Sequence, residues 1–214
     1  TPGGTLSALD RFDRAYYDRW YRHPMRRVST PAERRRRVSL ALGVAEYVLE
    51  RAVRTVLDVG CGEALWRAPL LALRPRLRYT GVDPSAYVVR RYGARRDIRR
   101  GAADSLDALR LRASYDLVVC ADVLHFLAAA EVEAALAGIA TRVEGVAYLP
   151  TFTVADDVEG DVRAMRPRGP AWYRERGRRA GLVPVGLDCY VRRERVATLS
   201  ALERLPATRV QRRA

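Results

Sequence analysis

The amino-acid sequence predicts an α/β fold: a doubly wound, mostly parallel, seven-stranded sheet with a helical segment in front of it. Three observations carry this reading. From residue 55 onward, short β-branched runs alternate with stretches of helical period, the order expected of strand–helix–strand crossovers. Those runs are apolar at consecutive positions, as in strands covered on both faces. The first 54 residues show the helical period alone.

Each element has its own signal. Leu9, Phe12, Tyr16 and Trp20 recur at helical spacing through Leu6–Tyr21, and Pro24 interrupts the pattern within Arg22–Ser29. Thr30-Pro31-Ala32-Glu33 starts a helix: Thr30 caps it, Pro31 suits the first turn and Glu33 completes a capping box. That helix is expected to reach about Ala52, with Leu40, Val44, Tyr47 and Val48 as its apolar stripe and Arg34–Arg37 as its solvated face. Strands follow at Thr55–Gly60, Arg78–Asp83, Asp97–Gly101, Tyr115–Asp122 and Gly145–Phe152. Between them lie helices at Ala64–Leu73, Ser85–Tyr92 with Gly93 as C-cap, and Ala129–Val143. Pro170–Ala180 is helical, Leu182–Leu187 and Tyr190–Arg195 are two strands meeting around Asp188, and Val196–Arg204 is a short helix. The expected organisation is a helical lid over 1–54 and an α/β domain over 55–214.

Composition narrows the class. At 214 residues, 49% hydrophobic and 30% charged, the chain is no disordered tail, fibre or disulfide miniprotein. No apolar run approaches the ~20 residues of a membrane helix, and Thr1–Ser7 lacks a signal-peptide pattern. Cys61, Cys120 and Cys189 are scattered and form no metal spacing, so a reducing, cytoplasmic setting is expected. The 39 basic residues are all arginine, which a GC-rich genome explains in part. The net charge of +14 is uneven: +6 over residues 1–54, −2 over 55–162 and +10 over 163–214.

The sharpest motif is Val56-Leu57-Asp58-Val59-Gly60-Cys61-Gly62-Glu63-Ala64, where the first strand passes into a helix. In an open α/β sheet ligands bind outside the carboxyl ends of the strands, and Gly60 and Gly62 let the backbone turn tightly there. A nicotinamide fingerprint fails at Leu65, where a third glycine is needed. What remains, an acid two residues before G-x-G, resembles motif I of the class I S-adenosylmethionine-dependent methyltransferases. Three segments extend the resemblance in order: Thr80-Gly81-Val82-Asp83, Gly101-Ala102-Ala103-Asp104-Ser105-Leu106, and Tyr115 to Leu127. It covers residues 55–152 well and reaches loosely to Tyr16-Tyr17-Asp18-Arg19-Trp20. It implies a Rossmann-like domain, S-adenosylmethionine as cofactor with S-adenosylhomocysteine as product, and no metal. It also implies site residues: Asp58, Gly60, Cys61 and Gly62 at the glycine turn, Asp83 on the ribose diol, and Asp104 near adenine, where Ala102 replaces the usual acid. Cys120 and Ala121 are expected at the ammonium, and an arginine such as Arg22 or Arg27 at the carboxylate.

For chemistry, His125 is the only evident base candidate, just past the fourth strand; its bland alternative is packing against Phe126. Tyr16, Tyr17, Trp20, Trp172 and Tyr173 are candidates to line the substrate site or its lid. Exocyclic-amine nucleic-acid enzymes of this family carry an (Asp/Asn)-Pro-Pro-(Tyr/Phe) motif, and this chain has Ala121-Asp122-Val123-Leu124 instead. The expected acceptor is therefore a small molecule methylated on nitrogen or oxygen, acidic or phosphorylated to match the basic ends. RNA is the second reading on the same charge, and a non-catalytic cofactor-binding subunit the third.

Overall fold

The computed structural model describes residues 12–23, 29–158, 161–166 and 168–199. Its strands are β1 (Thr55–Val59), β2 (Arg78–Asp83), β3 (Ile98–Arg100), β4 (Tyr115–Val119), β5 (Val143–Tyr148), β6 (Leu182–Gly186) and β7 (Cys189–Arg192). They form one sheet in the order β3-β2-β1-β4-β5-β7-β6. β1 to β5 are parallel; β7 runs antiparallel to both β5 and β6. The chain reverses direction across the sheet between β1 and β4, the place where an open sheet leaves a crevice at its carboxyl edge.

The helices are α1 (Arg14–Tyr17), α2 (Pro31–Leu49), α3 (Arg67–Leu73), α4 (Ala86–Arg96), α5 (Ala129–Arg142) and α6 (Pro170–Arg179). Strand residues alternate between two cores. Val56, Leu117 and Val146 face one layer with Val38, Ala41 and Ala45 of α2, Leu70 of α3 and Val88 of α4. Leu57, Val118 and Ala147 face the other, with Val132, Leu136 and Ile139 of α5 and Tyr173 of α6. The consecutive apolar positions of these strands are thus used on both sides.

Several element readings are corrected. α2 begins with the expected capping box between Thr30 and Glu33, but it ends at Leu49, where Glu50 turns left-handed (φ 55°). Its buried face is Val38, Ala41, Leu42, Ala45 and Val48, while Tyr47 is 71% exposed; small residues, invisible to a search for large apolar ones, carry the close approach to the sheet. α2 is therefore a wall of the α/β domain and not part of a lid. The described cover is shorter: α1 and the π-helical turn Asp18–Arg22. The Arg34–Arg37 run is not a uniformly solvated face either, since Arg37 is half-buried. Gly93 lies inside α4, and Asp97 (φ 52°) ends that helix. The final helix is the 3-10 turn Arg193–Thr198, and residues 200–204 of the expected one lie outside the described residues. No described helix is long and apolar enough to cross a membrane.

Candidate active site

The first wall of the site is the end of β1. Gly60 (φ 70°) and Gly62 (φ 51°) take left-handed conformations that side-chain-bearing residues adopt at a cost. A Cβ on Gly60 would also overlap the Val123 side chain, and one on Gly62 would sit 3.2 Å from the Tyr17 ring. Beneath this turn Asp58 is 2% exposed and accepts a hydrogen bond from the Tyr79 hydroxyl (2.7 Å). Burial pushes its carboxyl up to about 7, although the Tyr79 bond pulls the other way. Asp83, at the end of β2, is 4% exposed. Its two oxygens accept from the Gly62 N–H (2.8 Å) and the Ser85 N–H (2.9 Å), so it pins the glycine turn to β2. Burial raises this carboxyl to about 6.

The opposite wall comes from the ends of β4 and β5 and from α2. Asp122 stands at φ 60° and receives both Arg37 guanidinium nitrogens, at 2.8 and 3.1 Å. Arg37 also donates to the Tyr148 hydroxyl (3.2 Å). The pair ties α2 to the end of β4 with the forked geometry that arginine favours. His125 is 2% exposed and sits between the Phe126 and Phe152 rings, at 4.3 and 5.2 Å. Its Nδ1 accepts from the Phe152 N–H (3.3 Å), which assigns the remaining proton to Nε2. Burial lowers its pKa to about 4.

Between these walls lies a cavity of about 400 Å³, within the size range of small-molecule sites. Asp58, Gly60 and Cys61 line one side, Ala121, Asp122 and His125 the other, and Tyr16 and Trp20 stand over it. Of the remaining expected residues, Gly62, Asp83, Asp104 and Cys120 are not on this wall. Cys120 is fully buried behind it, and Asp104 sits in the 3-10 turn Ala103–Ala108. Tyr17 is 3% exposed, packs over Gly62 and stacks on Tyr87 at 5.8 Å, so it covers the glycine turn. Trp172 is held between the guanidiniums of Arg168 (4.5 Å) and Arg176 (4.9 Å), away from the cavity. Tyr173 lines a neighbouring cavity instead.

Of the two arginines expected at the cofactor's carboxylate, Arg22 lies within the described residues and does not line the cavity. Arg22 is committed to Asp18, Glu63, Tyr87 and Tyr92, where it latches the cover to the residue after Gly62. Arg27 lies outside the described residues. Arg34 and Arg37 do line the cavity. Sequence reading missed both because they belong to a run that looks like a solvated face, and Asp122 lies 85 positions from Arg37. It likewise missed Asp156, Asp161 and Asp188, which reach the wall from loops and a hairpin turn.

Residues 57–144 match the model of a methyltransferase domain. The matched stretch is less than half of the chain. It spans β1 to the start of β5 and contains the glycine turn, Asp83 and the Arg37 partner Asp122. Among solved structures, the chain is similar to the sugar N-methyltransferase KedS8 from Streptoalloteichus, at 19% identity and a TM-score of 0.59, covering 86% of this chain and 88% of that one. It is also similar to an O-methyltransferase family protein from Burkholderia thailandensis (20% identity, 79% and 59% covered, TM-score 0.50). A third likeness is to the [4+2]-cyclase SpnF (22% identity, 73% and 59% covered, TM-score 0.52). The chain thus shares the fold of these proteins, and SpnF illustrates that this fold alone does not name a reaction. No curated protein matches. The chain spans 51–59% of the length of four of the structures it matches.

Proposed function

We propose that this protein binds S-adenosylmethionine and methylates a nitrogen or oxygen of a small molecule. The observation that carries this is the 400 Å³ cavity at the β1–β4 crevice, walled on one side by Gly60 and Cys61 and on the other by Asp122 and His125. The residues present suit that cofactor. It carries a diol, an ammonium and a carboxylate and no phosphate; the chain offers Asp58 and Arg34 on the cavity wall and Asp83 beside the glycine turn. When bound, the cofactor supplies an electrophilic methyl group on a sulfonium. The chain's part is orientation: the glycine turn fixes one reactant, Asp122 and Arg37 shape the opposite wall, and Tyr16 and Trp20 keep water out. Positioning of this kind is worth up to about 7–11 kcal/mol in well-oriented intramolecular reactions.

His125 is better suited to hold an acceptor than to deprotonate it. Its Nδ1 lone pair is taken by the Phe152 N–H and burial makes it a weak base, while Nε2–H is left to donate. An anionic acceptor draws little support from the wall. Among the described residues, Glu33, Asp58, Asp122, Asp156, Asp161 and Asp188 line it against Arg34 and Arg37. The same wall disfavours an RNA phosphodiester. The three unpaired cysteines are in keeping with the cytoplasmic reading.

The test is calorimetry with S-adenosylmethionine, followed by assay of S-adenosylhomocysteine release with amine, alcohol and carboxylate acceptors. Binding with turnover on the first two classes is expected. Binding without turnover on any class favours a non-catalytic subunit, and no binding contradicts the proposal. A steep fall of kcat/KM with salt would restore the anionic readings.

A further inference from the structure

We infer that a second cavity beside the first selects the acceptor, and that this acceptor is an amine on an apolar body with a hydrogen-bonding oxygen at its far end; this rests on the methyl-transfer reading above. The second cavity, about 230 Å³, has Leu124, Leu136 and Leu149 as its apolar surface, with Tyr173, Tyr190 and Arg174 also on its wall. It shares Thr151, Asp156 and Asp188 with the larger cavity, so the two meet at a pair of carboxylates.

Each part of that lining points to one part of a ligand. Tyr173 lines this cavity at 7% exposure, and its hydroxyl is buried with no hydrogen-bond partner among the described residues. Buried hydroxyls are rarely left unpaired, so a ligand oxygen completes this one. At the junction, Asp156 is held in place: its Oδ2 accepts from the Thr153 N–H (2.7 Å) and hydroxyl (2.8 Å). Asp188 is fixed by the β6–β7 turn, where it and Leu187 stand at φ 61° and 49°. Its carboxylate has no hydrogen bond or ion pair among the described residues. Arg37, which acts on it electrostatically, is bonded to Asp122. Asp156 and Asp188 have no ion-paired cation among the described residues, Arg174 of the second cavity included, and two such carboxylates where the cavities meet fit a protonated amine.

The chemistry closes. Asp188 takes one proton from the R–NH₃⁺ acceptor. The freed nitrogen lone pair forms the N–CH₃ bond as the methyl–sulfur bond breaks, and that electron pair stays on sulfur. The product is R–NH₂⁺–CH₃, and Asp188 passes its proton to water, one proton per methyl. Asp188 is the proton acceptor of this step; Tyr173 fixes the far end.

The experiment uses the full chain saturated with S-adenosylhomocysteine and four probes on one cyclohexane ring: trans-4-aminocyclohexanol, cyclohexylamine, trans-1,4-cyclohexanediol and trans-4-hydroxycyclohexanecarboxylate. Aminocyclohexanol is expected to bind about tenfold more tightly than each of the others, the worth of one added hydrogen bond or charge contact. Tyr173→Phe should erase its advantage over cyclohexylamine and leave cyclohexylamine unchanged. Asp188→Asn should erase its advantage over the diol. In both variants unchanged S-adenosylhomocysteine affinity reports that the fold is intact. Equal binding of amine and diol, or a preference that survives Tyr173→Phe, overturns the subsite while cofactor binding stands. Absence of cofactor binding in the unmutated protein overturns the methyl-transfer reading and this inference with it.

Discussion

The two walls of the cavity are built in opposite ways. The β1 wall is local and rigid: Asp58, Gly60, Cys61 and Gly62 lie within five residues, and the nearby Asp83 bonds back to the Gly62 N–H. Its carboxylates are buried and their pKa values raised, to about 7 for Asp58 and about 6 for Asp83. The β4–β5 wall is assembled from distant pieces: Arg37 from α2, Asp122 after β4, Phe152 after β5 and Asp188 from the β6–β7 turn. Several of its acids are at the solvent edge. A wall that binds one invariant cofactor can be encoded in a short motif, whereas a wall that receives the acceptor is gathered from loops, where specificity can vary without touching the sheet.

If that contrast holds, the largest loss comes from the local wall. Gly60→Ala adds a Cβ at φ 70° against Val123 and should weaken S-adenosylhomocysteine binding by about 2–3 kcal/mol or more, from left-handed strain plus displacement of the turn. Calorimetry beside a melting curve separates lost binding from unfolding. Asp83→Ala comes next. It removes the expected diol contacts and the bond that holds Gly62, and should cost about 2–3 kcal/mol of cofactor affinity, the range for charged hydrogen bonds. Unchanged affinity in a folded variant would detach the ribose from Asp83.

This first wall was also the legible one. Asp58, Gly60 and Cys61 could be read as one group because strand, turn and acid are contiguous, and all three line the cavity; the parallel pairing of β1–β5 followed from the alternation of elements. The acceptor wall was not legible. Arg37 meets Asp122 only after α2 packs on the sheet, and nothing in Arg34–Arg37 marks which member turns inward. Trp172 was expected near the substrate on residue type alone; two guanidiniums hold it elsewhere. Gly93 looked like a helix stop, yet Asp97 performs that turn. Local propensity does not contain these contacts, because they depend on packing over tens of residues.

Smaller effects sharpen the comparison through pH. With Asp58 titrating near 7, a bound ammonium favours its ionised form, so S-adenosylhomocysteine affinity should rise severalfold from about pH 6 to about pH 8. Asp58→Asn should shift the rise down toward about 6, where Asp83 titrates; an unshifted profile would remove Asp58 from cofactor binding.

On the other wall His125 has its pKa lowered to about 4, against about 6.5 for an unfolded histidine. Between those values the unfolded chain binds a proton that the folded chain does not, so His125 lowers stability as pH falls from 6.5 toward 4. His125→Gln should flatten that part of the stability–pH curve and reduce kcat less than about threefold, far from the ~10²–10⁴ of a lost base. A fall of about 10²-fold or more in a folded variant would make His125 the base after all.

The central claim is that the β1–β4 crevice holds the cofactor, and a crystal structure of the protein with S-adenosylhomocysteine tests it most directly. The account predicts the amino-acid half in the 400 Å³ cavity beside Gly60 and Cys61, the sulfur facing Asp122 and His125, and the ribose hydroxyls on Asp83 with Tyr17 moved aside or stacked over them. A ligand bound elsewhere, or seated with its ribose away from Asp83 and its sulfur away from this wall, would contradict it.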